Sequence, residues 1–246
     1  MKIKTIVYGA TGMVGEGVLH VCLNDPDVES VLVVGRRTCG VSHPKLLEVL
    51  HDDFFNYTPI ESRLAGCNAC YFCLGVSSIG MSEKEYRRTT YDLTMAAAKI
   101  LARLNPDMTF CYVSGMGTDS SEKGRSMWAR VKGKTENDLQ KLPFKDVFCF
   151  RPGFIKPIKG LKKAFTLAKI MGAVYPLWKA LVPKYVCTLD DLGHAMISVT
   201  RNPPRERVIE CLEIARLGAS RPATSCLLRP AQPVLPPHDP ESPQAG

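Results

Sequence analysis

No run of 18 or more consecutive apolar residues occurs in this sequence, so nothing in it reads as a conventional membrane-spanning helix. The opening residues MKIKTIVYGA lack the apolar core and small-residue cleavage site of a secretory signal, which argues against export. The five histidines, His20, His43, His51, His194 and His238, form no HxxxH or HExxH pattern, and no GxxxxGKS/T loop is present. Metal catalysis and P-loop chemistry therefore have no support. Acidic residues are missing altogether between Asp146 and Asp190, while Arg151, Lys156, Lys159, Lys162, Lys163, Lys169, Lys179 and Lys184 fall there and equal the net charge of +8. That segment is read as facing something anionic or as well solvated. No helix-turn-helix or zinc pattern accompanies the charge, so nucleic acid is not an expected partner.

What is present is an ordinary globular composition, 45% hydrophobic and 23% charged, which excludes disorder throughout the chain. At 246 residues, about 150 per domain implies one domain with an appendage. Ten cysteines spread over that length, without an export signal, read as reduced thiols and give an expected cytoplasmic location. Cys67, Cys70 and Cys73 have the CxxCxxC spacing of cluster ligands. Cys70 and Cys73 fall in a predicted strand, however, where an odd separation sends them to opposite faces, so buried free thiols are the better reading.

β-branched or apolar runs predict strands at Ile3 to Tyr8, Ser30 to Val34, Leu46 to Leu50, Ala69 to Leu74, Thr109 to Val113 and Asp146 to Phe150. Helical patterns lie between them, at Met13 to Leu23, Pro59 to Leu64, Glu83 to Leu104 and Ser126 to Leu142. Parallel neighbours need a crossover that a helix supplies, so the expected fold is α/β, a Rossmann-type doubly wound parallel sheet of order 3-2-1-4-5-6. Residues 1–155 would form this core. A small basic helical C-terminal subdomain, 156–217, would complete it, with a helix at Asp190 to Val199 and a strand at Arg207 to Leu212. Residues 218–246, which hold seven prolines, read as a disordered tail.

Gly9-Ala10-Thr11-Gly12-Met13-Val14-Gly15 sits where the first strand becomes the first helix, the context in which a glycine pattern binds a dinucleotide pyrophosphate. The spacing is GxxGxxG. At the end of the second strand, where an acid would bond a ribose 2′-hydroxyl, the chain has Arg36 and Arg37, which suit a 2′-phosphate. NADP(H) is thus the expected cofactor, with NAD(H) second. Asp53 stands where a carboxylate could meet the adenine amino group, and Gly75 where backbone could approach the cofactor ribose.

With Gly9-Ala10-Thr11-Gly12, Gly35-Arg36-Arg37, Asp53-Phe54, Cys73-Leu74-Gly75, Val131-Lys132-Gly133 and Phe150-Arg151-Pro152-Gly153, residues 1 to about 215 resemble the atypical short-chain dehydrogenases/reductases, in particular the Tat-interacting oxidoreductase and bacterial epimerase-like proteins. The resemblance implies cofactor contacts at Leu74, Pro152 and Gly153 as well, and a Ser, Tyr and Lys acting together. Lys132 takes the lysine position and Ser114 the serine region, but Trp128 stands where the tyrosine would be. An indole N–H has no proton to exchange near neutral pH.

Three readings follow. The chain could be a reductase with another acid (Tyr86, Tyr91, or a water held by Ser114 and Lys132), a protein performing hydride transfer alone, or a non-catalytic NADP(H)-sensing regulator or scaffold. For Tyr86 and Tyr91, packing on a helix is the plainer role. The substrate is an unidentified small molecule, and the oligomeric state is left open. Residues 156–184 would cover the substrate, or alternatively lie peripherally on an anionic membrane surface.

Overall fold

The computed structural model describes residues 1–156, 158 and 183–220. Its centre is a seven-stranded sheet in which every pairing is parallel. The strands are β1 (Ile3–Tyr8), β2 (Val28–Gly35), β3 (Leu46–Leu50), β4 (Ala69–Phe72), β5 (Thr109–Val113), β6 (Asp146–Arg151) and, much later in the chain, β9 (Val208–Glu210). In space they run β3-β2-β1-β4-β5-β6-β9. The expected order of six is observed, and β9 adds a seventh beside β6 through Cys149↔Val208, Phe150↔Ile209 and Arg151↔Glu210. A strand running on to Leu212 does not form, because Cys211 opens a helix instead.

Both faces of the sheet are covered, which explains why the strands read as continuous apolar runs. Val7, Tyr71, Cys111 and Phe148 point into one core with helices α1 (Met13–Asn24), α6 (Leu189–Arg201) and α7 (Cys211–Ala219). Ile6, Tyr8, Cys70, Phe72, Phe110 and Tyr112 point into the other, with α2 (Glu61–Leu64), α4 (Leu93–Leu104) and α5 (Met127–Leu139). The strand expected to run to Leu74 ends at Phe72, so Cys70 lies in β4 and in the second core while Cys73 follows the strand and packs against the first, and the two thiols are still apart.

The long helix expected over Glu83 to Leu104 is three pieces: α3 (Glu83–Arg87), a π-turn at Arg88–Asp92, and α4. Its start is set by a capping box, Ser82 with Glu85, and α6 starts on another, Thr188 with Asp191. Two short parallel strands, β7 (Phe154–Lys156) and β8 (Val186–Thr188), carry the chain away from the sheet and back. The helix α7 runs to Ala219, and Gly218 within it lies against the backbone of Asp191, so these residues belong to the packed domain. The basic amphipathic stretch at 159–182 and the tail at 221–246 lie outside the described residues. Among the described residues, no helix is long and apolar enough to cross a membrane.

Candidate functional site

The sheet order reverses between β1 and β4, since β1 leads to β2 on one side and β4 leads to β5 on the other. At such a point the carboxyl ends of the two strands part and leave a crevice. The glycine turn lies there. Gly9 has a φ of +81°, and a Cβ on it would stand 2.8 Å from the Cys73 carbonyl carbon at the end of β4. A Cβ on Gly15 would collide with the Gly9 carbonyl. These two glycines are therefore demanded by packing, one for the tight turn and one for the approach of helix to strand.

Gly12 differs. It is exposed, it is the N-cap of α1, and no side chain caps the helix. The first N–H groups of a 12-residue helix are thus offered to the crevice, with the positive end of the helix dipole behind them. Thr11, Met13 and Val14 flank this opening and are partly exposed. Gly75 is exposed after β4, and a Cβ there would meet nothing within 4 Å, so no protein contact requires its small size. Leu74 beside it is half-buried and packs against the second core. Open backbone at Gly12 and Gly75 on either side of the switch point fits a dinucleotide.

Beside the turn a cleft of about 280 Å³ is lined by Thr11, Glu16, His20, Arg37, Thr38 and Cys39, among others. Arg37 thus reaches the crevice, whereas Arg36 is exposed and does not line it. Neither arginine has a carboxylate partner among the described residues. Asp53 is exposed, and its Oδ1 accepts from the Phe55 N–H at 2.9 Å, so one oxygen is committed to its own turn. Gly153 follows β6, where a Cβ would collide with the Tyr185 carbonyl. Its glycine is thus explained by the chain entering β8, and the Pro152 carbonyl accepts from the Met116 N–H at 2.9 Å.

The family-position residues of α5 and β5 adopt an arrangement that spacing could not give. Lys132 donates from Nζ to the Ser114 carbonyl, and burial pushes its amine down to about 8 against the opposing pull of Glu136. The Ser114 side chain is turned toward Glu136. Its hydroxyl is buried, donates to Glu136 Oε1 at 2.5 Å and lies 3.1 Å from the Phe150 carbonyl. Glu136 is 1% exposed and also receives Arg151 in a two-point pair, Nε at 3.1 Å and Nη2 at 2.5 Å. Arg151 reaches Ser120 Oγ at 2.5 Å and Glu210 at 3.3 Å as well. The arginine counted with the anion-facing segment is therefore neutralised internally.

Trp128 is partly buried over the turn that follows β5, with its ring edge 3.4 Å from where a Gly117 Cβ would be. The other tyrosines do not supply the missing phenol. Tyr86 is buried, and its hydroxyl is pushed up by that burial. The Tyr91 hydroxyl is held at 2.7 Å by Asp138, and burial followed by that carboxylate pushes it up to about 12. Sequence reading missed Glu136. Its one available signal was the four-residue step from Lys132, which places both on one side of a helix.

No family model matches the chain. Among curated proteins it is similar to leucinostatins biosynthesis cluster protein T of Purpureocillium lilacinum, 24% identical over 223 residues, which are 78% of this chain and 82% of that one. It is also similar to protein FMP52, mitochondrial, of Candida albicans, 27% identical over 154 residues. That match covers 61% of this chain and 66% of the Candida protein, just under two thirds of the relative's length. Among solved structures it resembles a UDP-N-acetylglucosamine 4-epimerase from Methanobrevibacter ruminantium, with a TM-score of 0.62 at 13% identity, covering 85% of this chain and 76% of that one. The Bordetella bronchiseptica enzyme WbmG in complex with NAD gives 0.61 at 11%, over 85% and 72%. The chain has the Rossmann-like fold of these solved structures.

One expectation is overturned. A cytoplasmic location does not stand beside several relatives named as mitochondrial. The absence of a secretory signal speaks only to export, and reduced thiols do not single out one reducing compartment.

Proposed function

We propose that this chain is an atypical short-chain dehydrogenase/reductase relative that binds NADP(H) across the β1/β4 crevice and acts as an oxidoreductase whose usual tyrosine is replaced by Trp128. The observation that carries the reading is the uncapped N-terminus of α1 at Gly12, set at the switch point between two glycines that packing demands. The pyrophosphate would lie on that N-terminus, and Arg37, which lines the adjoining cleft, would take the 2′-phosphate. Arg36 would add charge from outside. When bound, the nicotinamide supplies hydride chemistry. The chain's own part is to present the Lys132 amine beside Gly115, whose Cβ position is 4.0 Å from Nζ. The mitochondrial names of the relatives support a mitochondrial setting.

A second reading, binding without turnover, is favoured by one observation: the Ser114 hydroxyl is spent on Glu136 and so is not offered to a substrate carbonyl. Calorimetric titration with NADPH and NADH tests the shared part. Micromolar NADPH binding is expected, weakened more by Arg37→Ala than by Arg36→Ala, with NADH poorer throughout. No binding of either nucleotide would refute both readings. Trp128→Tyr then separates them, because reductase activity against a carbonyl panel should rise only in an enzyme that lacks a proton donor.

A further inference from the structure

Glu136 is, among the described residues, the most deeply buried carboxylate joined to the candidate site. Lys132 and Glu136 are one helical turn apart on α5, and both meet Ser114 at the end of β5. Ser114 is gripped from two sides: its carbonyl accepts from Lys132, while its hydroxyl donates to Glu136 at 2.5 Å. Glu136 is in turn clamped by Arg151 from β6, at 3.1 Å and 2.5 Å. Three elements are thus tied to one carboxylate. A buried ion pair of this kind is a weak source of stability, because desolvation offsets its attraction, so a role in holding neighbours in place accounts for it better.

We propose that Glu136, clamped by Arg151, is the positioning residue for the Lys132 amine, holding the Ser114 carbonyl where the amine docks and supplying a carboxylate that faces it. The charged group facing Lys132 from its own helix is Glu136; from β5 it meets backbone at Ser114, and from β6 the Arg151 guanidinium stands behind the carboxylate. Burial of Lys132 opposes its charge and Glu136 favours it, which gives the clamp a measurable electrostatic consequence. The inference deepens the proposed cofactor reading, since Lys132 is the amine assigned to that crevice. Its test does not depend on a substrate.

The experiment is trace acetylation of the full chain from pH 6 to pH 11, with the labelling of the Lys132 peptide read by mass spectrometry. Native protein should show a midpoint near 8, far from the exposed lysines. Glu136→Gln should lower that midpoint by at least half a pH unit and weaken NADPH binding about tenfold. If that variant does not fold, the double variant Glu136→Gln, Arg151→Gln removes both charges, leaves no unpaired buried ion, and should still lower the midpoint, because Glu136 is the nearer charge. A midpoint unchanged in the folded variant, with only thermal stability lost, would overturn the proposal and leave a purely structural ion pair. A shifted midpoint in protein that binds neither NADPH nor NADH would uphold the clamp and refute the cofactor reading.

Discussion

At the scale of single residues, glycine and lysine make the strongest demands. Gly9 combines a φ of +81° with a Cβ position 2.8 Å from backbone at Cys73, so Gly9→Ala adds backbone strain to a collision that no side chain can relieve. A loss of about 3 kcal/mol is expected in urea unfolding, and unchanged stability would mean that the turn is looser than described. Lys132 carries the opposite kind of cost. Its amine is held near 8 in the folded chain against about 10.4 when unfolded, so between those values the unfolded state binds more protons. The penalty is complete below pH 8 and fades as pH rises through 10. Lys132→Met should therefore stabilise the protein at pH 7, by about 1 to 2 kcal/mol, with the gain vanishing near pH 10.5. Urea midpoints of the two proteins at both pH values would check this. A cost in stability at this amine is what the proposed role for Lys132 implies.

At the scale of elements, the contact of α1 with α6 shows how packing chose residues that no motif explains. Each helix contributes one glycine to the other's side chain: a Cβ on Gly17 would be 2.8 Å from Leu189, and one on Gly193 would be 2.7 Å from Val21. The close approach brings α6 onto the helix that carries the glycine turn. Gly193→Leu should separate the pair, costing 2 kcal/mol or more, an estimate of about the overpacking scale. It should also weaken NADPH binding through the displaced N-terminus of α1, as titration of the folded variant would reveal. Helix starts were legible here, since Ser82, Glu85, Thr188 and Asp191 make capping boxes from residue type alone. The π-turn at Arg88–Asp92 was not, because the apolar spacing on either side reads as one continuous helix.

At the scale of the whole molecule, a ligand that spans the switch point ties both halves of the sheet together and binds only the folded state. NADPH at a hundred times its dissociation constant should add about 2.7 kcal/mol, a rise of about 5 to 10 °C in Tm, with a smaller rise for NADH. Scanning calorimetry at matched nucleotide concentrations measures this, and equal shifts for the two nucleotides would deny Arg36 and Arg37 their assigned role.

The sheet order and the site of the glycine turn were determined by the sequence alone, because strands covered on both faces must be apolar throughout and parallel neighbours must be joined by helices. Lys132 was legible by position. Only the tertiary structure decided which way Ser114 points, that Arg37 rather than Arg36 lines the cleft, and that Arg151 is paired with a buried carboxylate. The physical reason is one of range. Period and propensity act over a few residues, whereas Ser114 follows β5, Glu136 lies on α5 and Arg151 ends β6, and a hydrogen-bond partner that far along the chain is chosen when the elements pack.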